Sequence, residues 1–290
     1  MLLIADSGST KCDWRLVDED KTYRDFKSLG INPYFHNEEV IEAELKKVEP
    51  LIENADKVTA VFFYGAGCSS TELKRIVDRG LSRIFEKAQI YVDHDLVAAA
   101  FAVYDDEPCI ACILGTGSNS CHFDGDIVRE EVPALAYILG DEGSGSYFGK
   151  KLLTDFLYKK LPDNIHQALI KEFDLNKNTI MDRVYRTPHA NVYLASFMRF
   201  ISSFRSEPYV RDMIREGLEK FIDIHVKCFR DSGKVKTHFV GSVAHYQEDI
   251  LKEVAAEKGI IVGNIIKQPI EGLYEHHVKN YFSKIPFKTS

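Results

Sequence analysis

The sequence predicts an α/β protein of two similar domains, each with a mixed five-stranded sheet and flanking helices. Over roughly the first hundred residues, the hydrophobic pattern runs strand, strand, strand, helix, strand, helix, strand, helix. A polar segment ending in proline, residues 104–108, precedes a second set of strands and helices. Residues 5–14 and 114–123 also match, sharing Gly, Ser and Cys at an offset of 109. We therefore predict a first domain at 1–106 and a second, with a helical insertion, at 107–271.

The first domain is expected to hold five short strands and three helices. Runs rich in β-branched and aromatic residues predict strands at 2–6, 12–17, 22–28, 58–64 and 89–93. Segments with helical periodicity predict helices at 38–54, 69–87 and 95–104.

The second domain repeats this opening and then becomes mostly helical. Its strands are predicted at 109–114, 119–123, 127–132, 237–241 and 260–263. Its longest amphipathic helix is predicted at 144–161, and another follows at 246–258. A last helix, at 272–283 within the segment 272–290, is expected to pack on the first domain.

Composition and charge exclude several classes of partner. Lys and Arg total 37 against 44 Asp and Glu, a net charge of −7 in 290 residues, and no basic run opposes it. Nucleic acid and anionic membranes are therefore not expected to bind. The N-terminus reaches an acid at Asp6, and no window approaches 18 apolar residues, so we expect a cytoplasmic protein.

Six cysteines in a chain of this length do not predict a disulfide scaffold. Cys109 and Cys112 have the C-x-x-C spacing of metal and redox sites, but they lie in a predicted strand. A spacing of three sends their side chains to opposite faces of that strand, so we expect buried thiols rather than a shared ligand site.

Turns made of small residues are the first candidates for chemistry. Gly, Ser and Thr expose backbone amides and hydroxyls without crowding, which suits a phosphate group. One such turn is also typical of an ordinary hairpin. Two of them, one in each domain, favour a polyphosphate held from both sides. The turns comprise Gly8, Ser9, Thr10 and Lys11, and Gly115, Thr116 and Gly117.

Acidic residues stand where predicted strands pass into helices. Asp93 and Asp95 occupy one such junction, where they could cap the helix or where one could act as a base supported by the helix N-terminus. A metal site using these residues and His94 is not favoured, because consecutive side chains do not converge on one ion.

Two further junctions carry small residues. The segment 139–146 places two acids among Gly and Ser before a helix, which could be a cap or a grip on a polyhydroxy ligand. The strand ending at Val240 runs into Gly241 and Ser242, where a flat base could approach the backbone. His276 and His277, on the last helix, are expected at the surface.

Taken in order, these motifs resemble the actin-like ATPase superfamily of sugar kinases and hexokinases. Within it, the chain is similar to the N-acetylglucosamine kinase / BadF-BadG-BcrA-BcrD type over nearly its whole length. The motifs that carry the resemblance are Asp6-Ser-Gly-Ser-Thr-Lys11, Gly115-Thr-Gly-Ser-Asn119, Gly140-Asp-Glu-Gly-Ser144 and Gly241-Ser-Val-Ala244.

The resemblance implies two ribonuclease-H-like domains with ATP and Mg²⁺ in an interdomain cleft. It implies that Asp6 holds Mg²⁺, through water, and that Asp95 is the catalytic base. ATP would contact both turns and then Gly241, Ser242 and Ala244. The residues that match sugar-contacting positions are Asn32, Asp95, Ser118, Asn119 and Asp141.

The activity implied is transfer of the γ-phosphate to the 6-OH of an amino sugar, most simply N-acetylglucosamine. Residues 133–137 depart from a Gly-Gly-Trp-Gly-like stretch that lines the sugar pocket in the family, so glucosamine or N-acetylmuramate stays open. The alternatives are an ATPase that activates a partner enzyme and a non-catalytic nucleotide or sugar sensor. Many relatives are dimers, which makes a homodimer a further expectation.

Overall fold

A computed structural model describes residues 1–281 of the chain. The chain forms two compact units. The N-terminal unit comprises Met1–Val103 and the described residues from Pro269 onward, and the C-terminal unit comprises Tyr104–Gln268. The predicted domain boundaries at 106/107 and 271/272 lie within three residues of these divisions. The end of the predicted helix 272–283 lies outside the described residues.

The N-terminal unit contains a mixed five-stranded sheet of order β3-β2-β1-β4-β5. β1 pairs antiparallel with β2 and parallel with β4, and β4 pairs parallel with β5. The strands are β1 (Leu2–Ser7), β2 (Lys11–Val17), β3 (Tyr23–Leu29), β4 (Ala60–Gly65) and β5 (Gln89–His94). The helices that follow these strands are α1 (Glu38–Leu45), α2 (Glu49–Asn54), α3 (Thr71–Ser82) and α4 (Asp95–Val103).

Both faces of this sheet are buried, because β1 alternates apolar side chains toward two cores. Leu3 and Ala5 join one core, which also contains residues of α1 and α3. Leu2 and Ile4 face the other, which contains Ala98 of α4. An apolar run buried on both sides is what a central strand between helix layers requires.

The C-terminal unit contains a second mixed five-stranded sheet, of order β10-β9-β6-β7-β8. Its strands are β6 (Cys109–Leu114), β7 (Ser118–Phe123), β8 (Val128–Arg129), β9 (Lys236–Val240) and β10 (Val262–Ile266). β6 pairs antiparallel with β7 and parallel with β9, as β1 does with β2 and β4. The predicted pair of mixed five-stranded sheets is confirmed.

Most of the C-terminal unit is helical and packs on one face of its sheet, over Ile110, Cys112 and Leu114. The first four helices of the C-terminal unit, in chain order, are α5 (Ala136–Leu139), α6 (Gly145–Leu157), α7 (Asp163–Glu172) and α8 (Lys177–Tyr185). Five more follow: α9 (Ala190–Ser196), α10 (Met198–Ser203), α11 (Pro208–Phe221), α12 (Ser242–Tyr246) and α13 (Glu248–Glu257).

The last helix, α14 (Ile270–Tyr281), belongs to the N-terminal unit. Its Leu273 is buried in the core beside Leu2 and Ile4. The surface position expected for His277 is wrong. The residue is 5% exposed, and its ring stacks on Phe62 with centroids 4.1 Å apart and places Nε2 2.9 Å from the Tyr64 hydroxyl.

Two predicted elements are shorter than expected. The helix predicted at 38–54 is divided into α1 and α2, because Pro50 in the first turn of α2 has no amide hydrogen to continue a helix. The strand predicted at 127–132 is reduced to β8, and the chain from Glu130 to Pro133 leaves the sheet. Within residues 1–281, no helix has the length and apolar content needed to cross a bilayer.

Candidate functional site

The first turn, between β1 and β2, is short and anchored by backbone hydrogen bonds. The Gly8 amide donates to the Lys11 carbonyl at 3.0 Å, and the Gly30 amide donates to the Thr10 carbonyl at 3.2 Å. Thr10 and Lys11 are exposed. These hydrogen bonds fix the backbone of the turn, and Thr10 and Lys11 are left facing solvent.

Ser7 fixes the loop that carries Asn32, a role that the sequence did not reveal. Its buried hydroxyl donates to the Ile31 carbonyl at 3.1 Å and accepts the Ile31 amide at 2.8 Å. The Asn32 side-chain oxygen then accepts the Tyr34 amide at 3.0 Å. The only sequence signal for Ser7 is its place between a strand and a glycine turn, which many serines share.

Carboxylates gather where the parallel strands of the N-terminal unit end. In the sheet register, Asp6 lies opposite Asp13 on β2 and beside Tyr64 on β4, which in turn lies beside Asp93 on β5. Burial, followed by the negative charges of Asp95 and Asp13, raises the pKa of the Asp6 carboxyl to about 7. Asp6 is therefore a buried carboxyl close to other carboxylates, of which Asp13 is paired with Lys11 and Asp93 with Lys74.

Asp95 and Asp93 differ in their surroundings although they are two residues apart. Asp93 Oδ1 accepts a hydrogen bond from Lys74 Nζ at 2.6 Å, which commits it to an ion pair. Asp95 is the first residue of α4, its side chain is 26% exposed, and its Oδ1 lies 3.0 Å from His94 Nδ1. Asp95 lies at the N-terminus of α4, and its partial exposure leaves it reachable by a ligand.

The donor set at this edge fits a hydrated Mg²⁺ ion. Among residues 1–281 there is no group of three or more His, Cys, Asp or Glu side chains placed to enclose a metal. Mg²⁺ ordinarily keeps several waters and uses one or two carboxylates together with substrate phosphates. Asp6, beside further negative charge and the first turn, matches that pattern.

The second turn, between β6 and β7, is tied to the start of α6. The Gly115 amide donates to the Gly117 carbonyl at 3.0 Å. The amides of Gly145 and Ser146 donate to the carbonyls of Gly115 and Thr116 at 2.8 and 3.0 Å. The N-terminal amides of α6 therefore hold the turn in place.

Asp141 is the buried acid of the C-terminal unit and is held in a left-handed backbone conformation, with φ of 60°. Its side chain accepts hydrogen bonds from the Ser118 amide at 3.2 Å and the Ser146 hydroxyl at 3.3 Å. The residue is 8% exposed, and burial raises the pKa of its carboxyl. A strained, non-glycine backbone at a buried acid is typical of a functional position.

The other predicted sugar contacts of this unit are engaged locally. The Ser118 hydroxyl donates to the Glu142 carbonyl at 2.8 Å. The Asn119 side chain accepts the Ser120 amide at 2.8 Å and donates to Glu130 at 3.2 Å. Both residues are buried, and their side chains would have to share or exchange these partners with a ligand.

Gly241 brings the end of β9 against the second turn. Its φ is 130°, and a Cβ at this position would lie 2.3 Å from the Leu114 carbonyl oxygen, so only glycine allows the approach. Ser242 is exposed beyond it, whereas the Ala244 side chain is buried in the core. The structure thus places Gly241 of the predicted adenosine motif beside the second turn, with Ala244 facing inward.

All six cysteines are free thiols, and five of them are buried. Cys112 joins the core beneath the helices, and Cys109, three residues earlier, is buried outside that cluster. The expectation of buried thiols at this C-x-x-C spacing is confirmed.

The two sheets of equivalent order, each with a small-residue turn between its first two strands, define the fold of the actin-like ATPase superfamily. A solved structure of a candidate N-acetylglucosamine kinase from Porphyromonas gingivalis is 36% identical to this chain, with a TM-score of 0.92. The match covers 97% of this chain and 100% of the other. The chain therefore belongs to the N-acetylglucosamine kinase family within that superfamily.

Two more distant structures share the fold alone. A candidate N-acetylglucosamine kinase from Chromobacterium violaceum is 18% identical, with a TM-score of 0.70 and coverage of 95% of this chain and 98% of the other. A ROK family glucokinase from Streptomyces griseus, solved with glucose and AMPPNP, is 16% identical, with a TM-score of 0.54 and coverage of 95% and 97%. No family profile and no curated protein matches the chain.

Proposed function

We propose that this protein is an ATP-dependent amino-sugar kinase that transfers the γ-phosphate to the 6-OH of N-acetylglucosamine. The observation that carries the proposal is the partly exposed Asp95 carboxylate at the start of α4, in the unit whose first turn suits a phosphate. The Porphyromonas gingivalis relative, which bears the name of such a kinase, supports the choice of acceptor.

In the N-terminal unit, Asp95 acts as the general base. It accepts the proton of the sugar hydroxyl as the hydroxyl oxygen attacks the γ-phosphorus and the bond to the β-phosphate oxygen breaks. The nearby Asp93 is unsuited to this role because Lys74 already holds its carboxylate. Asn32, held through Ser7 and Ile31, is proposed to bind a sugar hydroxyl.

The phosphates are proposed to bind at the two turns. In the N-terminal unit the proposed phosphate contacts are Gly8, Ser9, Thr10 and Lys11. In the C-terminal unit they are Gly115, Thr116 and Gly117. Bound Mg²⁺ would offset the negative charge of the β- and γ-phosphates, and Asp6 would hold it through water. Gly241 and Ser242 would lie against the adenosine.

In the C-terminal unit, Asp141 is proposed to bind sugar hydroxyls as a hydrogen-bond acceptor. Its two existing donors, from Ser118 and Ser146, fix the carboxylate and leave further lone pairs for a ligand. Ser118 and Asn119 would contribute to the same subsite. Preorganised acceptors of this kind orient a hydroxyl for transfer.

The identity of the sugar depends on the stretch at 133–137, which departs from the family pattern. Most of this stretch is exposed, and Tyr137 lies in the short helix α5. A sugar pocket lined by these residues lacks the Gly-Gly-Trp-Gly-like stretch of the family, so its selectivity for the N-acetyl group has to be measured. Substrate comparison therefore has to include amino sugars with and without it.

A coupled assay of ADP release from Mg-ATP tests the proposal. N-acetylglucosamine, glucosamine, N-acetylmuramate, glucose and a sugar-free blank are run side by side on the same enzyme. We expect turnover that depends strongly on an amino sugar, with N-acetylglucosamine giving the highest kcat/KM. ADP release that no sugar alters, or no release at all, would refute the kinase.

A further inference from the structure

Helix α11 of the C-terminal unit continues into a π-helical turn, Ile222–Val226, whose His225 contacts Glu142 of the acidic loop 140–144. The Ser120 hydroxyl of β7 donates to the His225 carbonyl of this turn at 2.5 Å. Gly143 of the loop has a φ of 70°, and a Cβ there would lie 3.1 Å from Phe221 Cβ. π-Helical turns are rare and occur frequently at functional sites, so this one calls for a functional explanation.

His225 is the polar side chain that this turn directs at the loop. Its side chain is 4% exposed, its ring stacks on Phe221 with centroids 5.2 Å apart, and its Nε2 lies 3.4 Å from Glu142 Oε2. Its Nδ1 is buried without a hydrogen-bond partner among residues 1–281. The contact with Glu142 is therefore made by Nε2, the ring nitrogen that faces the loop.

Glu142 connects this contact to the candidate sugar subsite. It directly follows Asp141, whose left-handed backbone needs support from its surroundings. On one side of the loop, Ser118 donates its hydroxyl to the Glu142 carbonyl and its amide to Asp141 Oδ1. On the other side, His225 meets the Glu142 carboxylate. The loop is therefore held by the hydrogen bonds of Ser118 from β7 and by the His225 contact from the π-helical turn.

We propose that His225 is a positioning residue for the acceptor site: its Nε2–H donates to Glu142 and holds the loop so that Asp141 presents its carboxylate to the sugar. This inference rests on the proposed function. It predicts that loss of the Nε2 donor weakens acceptor binding more than ATP binding, because the amides that hold the second turn, those of Gly145 and Ser146, belong to α6 and not to the loop 140–144.

The test uses His225→Phe, which keeps a ring to stack on Phe221 and removes the donor. We expect the KM for the acceptor to rise about tenfold, the loss typical of a hydrogen bond to a charged group, with the KM for ATP within about twofold. In the ligand-free protein, amide exchange in the peptide 140–146 should accelerate about tenfold. His225→Gln, whose side-chain amide can still donate, should recover most of both effects.

The matched control is His122→Phe, which replaces a buried histidine of β7 that also has an unpartnered ring nitrogen. It should leave the acceptor KM and the loop exchange unchanged. If His225→Phe does not fold, Glu142→Gln weakens the same contact from the other side and should give the same two changes in smaller measure.

Unchanged exchange in peptide 140–146 would overturn the proposal whatever the activity. Faster exchange with an unchanged acceptor KM in an active kinase would overturn it as well. A wild-type protein without acceptor-dependent turnover would instead refute the kinase assignment, and the exchange measurement would still decide whether His225 holds the loop.

Discussion

Around the end of β1, the N-terminal unit gathers the carboxylates Asp6, Asp13 and Asp95, whereas the corresponding end of β6 in the C-terminal unit is surrounded by glycines and serine hydroxyls. The acid of the C-terminal unit, Asp141, accepts two hydrogen bonds that fix its orientation. The sheets have equivalent strand order, so topology does not cause this difference.

Two units of equivalent strand order therefore hold different chemical groups at corresponding positions. The N-terminal unit has the acid suited to accept a proton and the charge suited to a cation. The C-terminal unit has fixed acceptors and amides, which suit recognition of hydroxyls and phosphates. Substitutions in the two units should therefore change different kinetic constants.

The largest effect is expected from removing the base in the N-terminal unit. Asp95→Asn should lower kcat by roughly 10² to 10⁴-fold, the usual contribution of a general base, while ATP still binds with unchanged affinity. Single-turnover phosphate transfer and equilibrium ATP binding measure the two quantities. Full transfer by the variant would show that another group takes the proton.

Asp93→Asn is the matched control for this substitution. Its carboxylate lies two residues away but is paired with Lys74, so kcat should stay within about threefold of the wild-type value. Equal losses of kcat in the two variants would mean that kcat depends on the total negative charge at the ends of these strands and not on one specific base.

The next largest effect separates recognition from chemistry in the C-terminal unit. Asp141→Asn keeps a residue that tolerates the left-handed backbone but removes the charge and one of the two acceptors. We expect the acceptor KM to rise about 10 to 100-fold with a much smaller change in kcat. Steady-state kinetics with varied sugar measures both, and a loss confined to kcat would contradict the division between the units.

A smaller effect concerns the cation. Asp6→Asn should raise the Mg²⁺ concentration for half-maximal activity about tenfold, because one carboxylate near a hydrated ion contributes modestly to its affinity. Saturating Mg²⁺ should restore most of the turnover. Titration of activity with Mg²⁺ at fixed ATP measures the shift, with Asp93→Asn as a variant expected to show none.

The smallest effect on activity, and a separate one on stability, is expected at His277. Burial, and then the nearby His276, lowers the pKa of His277 to about 3, whereas an unfolded histidine titrates near 6.5. As the pH falls below 6.5, the unfolded chain therefore takes up a proton that the folded chain does not, and stability is lost. Between pH 7.5 and pH 5 the loss from this residue is roughly 2 kcal/mol.

His277→Phe removes this titration and keeps a ring to stack on Phe62, at the expense of the hydrogen bond to Tyr64. Urea unfolding at the two pH values should show a smaller loss of stability on acidification in the variant than in the wild type, with activity at pH 7.5 unchanged. Equal pH dependence would mean that His277 is not buried in its neutral form.

The features predicted from sequence are those set by local pattern. Alternating and continuous apolar runs define the strands, so the two sheets follow from the order of elements, and glycine and serine between strands mark the turns. The junction of β5 and α4 also places Asp95, and the loop before α6 places Asp141, at the ends of elements, where candidate site residues commonly lie.

Contacts between distant segments could not be predicted. His225 and Glu142 are 83 residues apart, and neither local pattern refers to the other. Adjacent histidines on an amphipathic helix look like surface residues, and only the packing of α14 on β4 shows that His277 is buried. In the sequence, Val48 and Leu51 continue the helical hydrophobic period across the break before Pro50. The pattern therefore predicts one helix where the structure has two.

The return of α14 to the first sheet has a consequence for synthesis on the ribosome. The C-terminal unit is one continuous stretch of chain, whereas the N-terminal unit is completed only by a helix that leaves the ribosome after it. At roughly 5 to 20 residues per second, the first sheet waits about ten to thirty seconds for that helix. During this delay Leu2 and Ile4 are not covered by Leu273. Apolar surface that stays exposed on a nascent chain is the kind of surface that chaperones bind.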